Sequence, residues 1–162
     1  MTNSELLTEI PFGLPGKLYR SPMPFSAYDR LGQVWQLYWQ NGIQTVVVLT
    51  ESQEYLVHAR RDLPQFYRAE GLDAIHFPIQ DYHAPQDTVA LDGAIETVIH
   101  RLQNRDRIAV HCMAGEGRTG TFLACMAKRH FDLDGQAAVK WIRQYIPTAL
   151  ENEEQIQFVR DF

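Results

Sequence analysis

Lysine is scarce in this sequence. Only three of the 15 basic residues are lysines, and the formal net charge is −5. A balance of that kind argues against nucleic acid or an anionic membrane as the main partner. It still leaves room for one local positive pocket. Long apolar runs are missing as well, since none approaches the ~20 residues needed to span a bilayer. The opening MTNSELLTEI has no basic segment followed by a long apolar stretch, so no secretory signal is read there. Cysteine occurs twice, at Cys112 and Cys125. Two cysteines are too few for a disulfide scaffold or a four-cysteine metal site. A reducing cytoplasm is the expected location. Internal repeats and low-complexity segments are also absent.

What is present suits one compact domain of 162 residues, with 45% hydrophobic content to build a core. Residues 1–10 are polar and are expected to be loosely held. IPFGLPGKLYRSPMP, rich in proline and glycine, reads as loops around a short strand. A helical pattern runs from Ser26 to Gln40, with Leu31, Trp35 and Tyr38 on one face and Ser26 as the N-cap. TVVVL, residues 45–49, reads as a strand buried on both faces. AIHFPI (74–79) and RIAVHC (107–112) read as two more strands. Residues 53–70 are polar, with helical spacing broken near Pro64. Asp87 caps an amphipathic helix carrying Leu91, Ile95, Val98 and Leu102 along one side. TGTFLACMAKRHF is apolar on nearly all sides and belongs in the middle of a domain. Two shorter helices follow, from Asp134 to Tyr145 and from about Asn152 onward. This alternation predicts an α/β fold, a central mostly parallel sheet flanked by helices.

The stretch HCMAGEGRTG, residues 111–120, falls between the third strand and the apolar helix. Cys112 is therefore at the carboxyl end of a strand, where open α/β sheets bind ligands. A helix N-terminus directs free N–H groups at that point. Gly115 and Gly117 let the amides of Met113 to Gly117, through Ala114 and Glu116, curl around one anion. The same amides stabilise a thiolate at Cys112. Arg118 adds a planar fork that matches two phosphate oxygens. A nucleophile beneath an oxyanion cradle is the combination phosphoryl transfer needs. Cys125 lies about seven residues into the helix, roughly 10 Å along its axis, too far for a disulfide with Cys112. It reads as core packing.

The pattern H-C-x-x-G-x-x-R-T-G resembles the signature of the cysteine-dependent protein tyrosine phosphatase superfamily, in particular the small atypical dual-specificity type. The resemblance implies that Cys112 attacks phosphorus and Arg118 holds the equatorial oxygens. It implies that Thr119 assists departure of the thiolate, and that His111 supports the loop by hydrogen bonding. It also implies an acid on a loop some thirty residues upstream. Asp81, in FPIQDYHAP, stands 31 positions before Cys112 and fits. His83 competes for that role on the same loop, whereas Asp87 reads as a helix cap. VVVLTE (46–51) and IPTALENEEQ (146–155) extend the likeness. Gln155 matches a residue that places the hydrolytic water, although Asn152 and Gln155 also have capping-box spacing. Both readings of Gln155 stand.

Two departures bear on substrate. Relatives that cleave lipid phosphates carry two lysines inside the loop, where this chain has Met113 and Glu116. A carboxylate there disfavours highly phosphorylated inositides. No segment resembles the phosphotyrosine-recognition loop of the larger tyrosine-specific domains. The expected enzyme is thus a phosphatase without cofactor or metal. It acts on phosphotyrosine, extending to phosphoserine and phosphothreonine, through a phosphocysteine intermediate. Its expected partners are phosphorylated proteins or small phosphomonoesters, with a monomer favoured. A phosphatase of small-molecule or inositol phosphates and an inactive phosphate-binding module remain the alternatives.

Overall fold

The computed structural model describes residues 3–162. In chain order it contains α1 (Asn3–Leu6), β1 (Thr8–Glu9), β2 (Lys17–Ser21), α2 (Gln33–Gln40), β3 (Thr45–Val48), α3 (Ser52–His58), α4 (Leu63–Ala69), β4 (Asp73–His76), α5 (Thr88–Gln103), β5 (Arg107–His111), α6 (Gly117–Phe131), α7 (Gly135–Ile142) and α8 (Glu153–Asp161). The strands form one sheet in the order β1-β2-β5-β3-β4. All neighbours are parallel except β1 with β2. The α/β expectation holds, and β5 occupies the centre.

The pleat divides the core in two. Val47, Ile108 and Val110 face one side, where α5, α6, α7 and α8 bury their apolar residues. Val46, Val48 and Ala109 face the other, against residues of α1, α2 and α4. Successive strand residues point to opposite faces, so a strand covered on both sides reads as continuous apolar sequence. Helix α5 buries Leu91, Ile95, Val98 and Leu102, the stripe its spacing predicts. Each such side chain contributes about 1.5–3 kcal/mol on burial. Helix α6 is buried without a break from Gly117 to Ala127. Side-chain caps start α4, α5, α7 and α8, where Asp62, Asp87, Asp134 and Asn152 accept from the backbone N–H three residues on.

Three local expectations change. Residues 3–10 are packed rather than loose: Leu6, Leu7 and Ile10 are buried, and Thr8 and Glu9 pair with β2. The first two residues lie outside the described part. The helix expected from Ser26 begins only at Gln33. Buried Asp29 accepts from Phe25 N (2.9 Å) and Val34 N (3.2 Å), and Ser26 Oγ donates to Met23 O (2.8 Å). Side chains that bond local backbone in this way compete with helix formation. Gly32, at φ 64°, sets where the helix starts. The strand expected over 74–79 pairs only to His76. Beyond it Phe77 and Ile79 still donate to β3 and Leu49, but Pro78 between them has no N–H to offer. Residues 53–70 form two helices, with Pro64 in the first turn of the second, where its missing donor costs nothing. No described helix is long and apolar enough to cross a membrane.

Candidate active site

The loop 112–116 is shaped from beneath. Gly115 has φ +77°, and a side chain there would collide with the Ser21 carbonyl. Only glycine adopts that conformation and admits that approach without strain. Met23 N donates to Met113 O at 2.9 Å, which fastens the loop to the segment after β2. Gly120 N donates to Glu116 O at 2.7 Å and opens α6.

His111 is fully buried at the end of β5. Its Nδ1 lies 3.1 Å from Cys112 O and its Nε2 3.0 Å from Tyr67 Oη. A carbonyl only accepts, so Nδ1 carries the hydrogen, and Tyr67 donates to Nε2. Burial holds the imidazole at a pKa of about 4, and Arg118 and His76 add to the lowering. Burial likewise raises the Tyr67 phenol, which stays protonated. The neutral pair fixes the first carbonyl of the loop.

This pair carries a stability prediction. The folded imidazole is neutral to about pH 4, whereas an unfolded one takes a proton near 6.5. Its contribution is complete above about pH 6.5 and is lost as pH falls toward 4, a change of about 3 kcal/mol. Urea unfolding of His111→Asn should lose that much less stability than the native protein between pH 7 and pH 4. Parallel pH curves would refute the assignment.

Arg118 opens α6 and is 2% exposed, one of the largest buried side chains. Nη1 and Nη2 each lie 2.8 Å from a different oxygen of Glu54 on α3. Nη1 also donates to Ile79 O at 3.0 Å. Nη2 lies 3.0 Å from Asp81 Oδ1. Burial alone would lower the guanidinium, but the Glu54 pair, the charges of Cys112 and Asp81 outweigh it and hold it above its ordinary value. Two carboxylates and a backbone carbonyl thus hold the guanidinium in one orientation.

One cavity of about 40 Å³ collects Cys112, Arg118, Asp81 and the loop residues Met113, Ala114 and Gly117. It has room for a few water-sized groups. Tyr28 and Tyr82 stand at the same cavity, both exposed. Glu116 faces the neighbouring cavity instead. Thr119 Oγ1 is buried with no hydrogen-bond partner, an uncommon state for a hydroxyl. Cys125 is a separate free thiol in the core, pushed up to about 12 by burial.

The loop carrying Asp81 is tied to α8. Asn152 Nδ2 donates to Tyr82 O at 2.6 Å, and Glu154 accepts from Ala84 N at 3.0 Å. His83 is committed to Glu154 at 3.2 Å, away from the cavity. Gln155 is fully buried. Its Oε1 accepts from Glu151 N at 2.8 Å, its Nε2 reaches His83 O at 3.4 Å, and its own N–H donates to Asn152 at 3.0 Å. Gln155 therefore sits behind the cavity and holds the two segments that form it. Asp87 is the helix cap expected of it.

Sequence reasoning passed over two carboxylates. Glu54 is explained locally by its capping box with Glu51, which hides its reach to Arg118. Glu151 lines the cavity and lies against Gly117, where any side chain would strike its carboxylate. Burial first, then Asp81 and Glu116, raise the Glu151 pKa against the pull of Arg118. The available signal was Gly117 itself, a glycine at the first turn of a helix. Among the described residues, no group of three or more His, Cys, Asp or Glu is arranged to hold a metal ion.

The sheet, its flanking helices and the loop between β5 and α6 have the cysteine-dependent tyrosine phosphatase fold. Residues 28–132 match the family model described as "Polymorphic toxin system, DSP-PTPase phosphatase". The chain belongs to that family, a dual-specificity phosphatase-like branch of the cysteine-dependent protein tyrosine phosphatase superfamily. It is 30% identical over 100 residues to mouse (Mus musculus) protein tyrosine phosphatase domain-containing protein 1, covering 62% of this chain and 13% of the relative. It is 28% identical over 92 residues to human (Homo sapiens) dual specificity protein phosphatase CDC14A, covering 56% of this chain and 16% of the relative. The chain thus spans a small part of these relatives' length. Among solved structures, kinase associated phosphatase with its catalytic cysteine replaced by serine superposes with a TM-score of 0.85 at 19% identity, over 96% of this chain and 92% of that one. The active form of Tk-PTP superposes with a TM-score of 0.72 at 26% identity, over 90% of each chain.

Proposed function

We propose that the protein hydrolyses phosphate monoesters on protein side chains, phosphotyrosine first and phosphoserine or phosphothreonine with it. The observation that carries this reading is one small cavity lined by Cys112, Arg118 and Asp81 together. The Cys112 thiolate attacks phosphorus, the ester P–O bond breaks, and Asp81 gives its proton to the leaving oxygen. Arg118 and the loop amides hold the equatorial oxygens. Water then attacks the phosphocysteine, Asp81 takes its proton, and the S–P bond breaks. The unpartnered Thr119 hydroxyl is available to donate to the departing sulfur. Glu151 lines the same cavity, its pKa raised by burial first and then by Asp81 and Glu116. His111 and Gln155 act as positioning residues. A reducing cytoplasm suits both free thiols.

Asp81→Asn tests the proton assignment. Phenyl phosphate has a poor leaving group, and its kcat should fall about 100-fold. With 4-nitrophenyl phosphate, whose leaving group needs little protonation, the loss should be much smaller. Equal losses on both esters would remove Asp81 from the role of acid.

A further inference from the structure

The catalytic cavity is too small to hold more than the transferring group and its immediate neighbours. At about 40 Å³ it leaves the rest of the substrate outside, beside Tyr28. Tyr28 is also a wall of two further cavities. One, of about 700 Å³, contains Leu6, Ala27 and Leu31 along with polar residues of the same loop. The other, of about 290 Å³, contains Arg20, Glu5 and Glu116 and shares Ala114 with the catalytic loop. Tyr28 is thus the common wall of a phosphate slot, a partly apolar groove and a charged pocket.

The segment that presents Tyr28 is built, not loose. Tyr28 N donates to Ser26 Oγ at 3.2 Å, and buried Asp29 next to it fixes Phe25 and Val34. Met23, at the start of the segment, is bonded to the catalytic loop. Leu31 extends from this segment at 77% exposure, unusual for a leucine on a pinned loop. It is the residue that the sequence assigns to a helix face and the structure gives to the groove.

The charged pocket has the opposite character. Arg20 lies on β2 opposite Val110, close to the end of the catalytic strand. Its Nε is buried with no hydrogen-bond partner, a donor without an acceptor. Burial lowers its pKa, while Glu116, Cys112 and Glu5 oppose that lowering. One guanidinium and two carboxylates leave no surplus positive charge for a second phosphate. They do match a neutral group that offers both an acceptor and a donor. A peptide unit offers both, one carbonyl and one N–H.

We infer that Leu31 and Arg20 read the residues that flank the phosphorylated one, with the substrate chain laid across Tyr28. An apolar side chain next to the phosphorylated residue enters the Leu31 groove, and main chain on the other side bonds in the Arg20 pocket. Leu31 and Arg20 are specificity-determining residues, and the flanking residues they prefer carry no second phosphate. This inference rests on the phosphatase reading above and adds which residues read the flanks of the substrate. A free sugar phosphate or inositol phosphate would leave at least one of the two cavities unused.

The test compares kcat/KM for 4-nitrophenyl phosphate with three phosphotyrosyl peptides. One has leucine beside the phosphorylated residue, one has alanine there, and one has a second phosphorylated residue. Sugar and inositol monophosphates form the small-molecule arm. The leucine peptide should exceed the alanine peptide about tenfold, the order of filling an apolar pocket. The doubly phosphorylated peptide should be the poorest of the three. Leu31→Glu should lower the peptide-to-nitrophenyl ratio about tenfold, and Arg20→Met about fivefold, the order expected for one hydrogen bond. The change should appear in KM. Ratios unchanged in both variants would overturn the inference, as would small-molecule phosphates used as well as the leucine peptide. In either case the phosphatase reading survives if nitrophenyl phosphate is turned over. A protein that hydrolyses neither ester nor peptide overturns both.

Discussion

Cys112→Ser should abolish turnover of phosphotyrosyl peptides and aryl phosphates, lowering kcat by roughly 10⁴-fold or more. Serine keeps the shape of the side chain but replaces a thiol with a far weaker nucleophile. The position is 3% exposed at the end of β5, between His111 and a loop fixed by other residues. The loop is held by the close approach of Gly115 to Ser21 and by the Met23–Met113 backbone bond, both of which serine leaves in place. The variant should therefore fold, with an unchanged circular dichroism spectrum and melting curve. It should also still bind phosphate or vanadate, because Arg118 and the loop amides remain. Lost turnover with retained anion binding identifies Cys112 as the group that attacks. Residual turnover within tenfold of the native protein would rule out a phosphocysteine and move the nucleophile to water.

Arg118→Lys carries the second largest effect, about 10³-fold in kcat/KM, the order of removing a main charge-stabilising donor. Lysine keeps the charge but has one ammonium. It cannot meet two carboxylate oxygens of Glu54 at 2.8 Å and also present a fork to phosphate. Glu54→Gln should give a smaller loss, since the guanidinium stays but is no longer held by a bidentate ion pair. The two changes act on one contact, so the double variant should be little worse than Arg118→Lys alone. Additive losses in that cycle would mean that Glu54 acts elsewhere. Truncation to alanine is the less informative change. It leaves Glu54 without its partner, which costs about 3–5 kcal/mol of stability in a buried pair.

The parts of the site that follow from the sequence are those set by contiguous residues. Cys112, Arg118 and the glycines share one loop, and its place between a strand and an apolar helix follows from two simple periodicities. The parallel sheet follows for the same reason, because strands buried on both faces have a distinctive composition. Asp81 needed the additional constraint of family spacing. Glu54 and Glu151 needed three dimensions. Each already has a sufficient local explanation, Glu54 in a capping box and Glu151 in an acidic turn before α8, and neither pattern records a contact across the fold. In segment 26–32 the helical spacing of Leu31, Trp35 and Tyr38 points to a helix that starts only at Gln33. The side chains of Ser26 and Asp29 bond the backbone there and win against that spacing. The loss of helix is what leaves Tyr28 and Leu31 exposed along one cavity.

Glu54 also couples the start of α3 to Arg118. It accepts Glu51 N at 2.8 Å, the bond that caps α3, with an oxygen that also accepts from Arg118. Helix α3 is only seven residues long and buries one residue fully, Tyr55. Short helices with little burial open before the rest of a domain. When the first turn of α3 frays, the brace on Arg118 goes with it while the sheet and α6 remain intact. Warming would then erode activity over a range where the protein as a whole is still folded, and cooling would restore it.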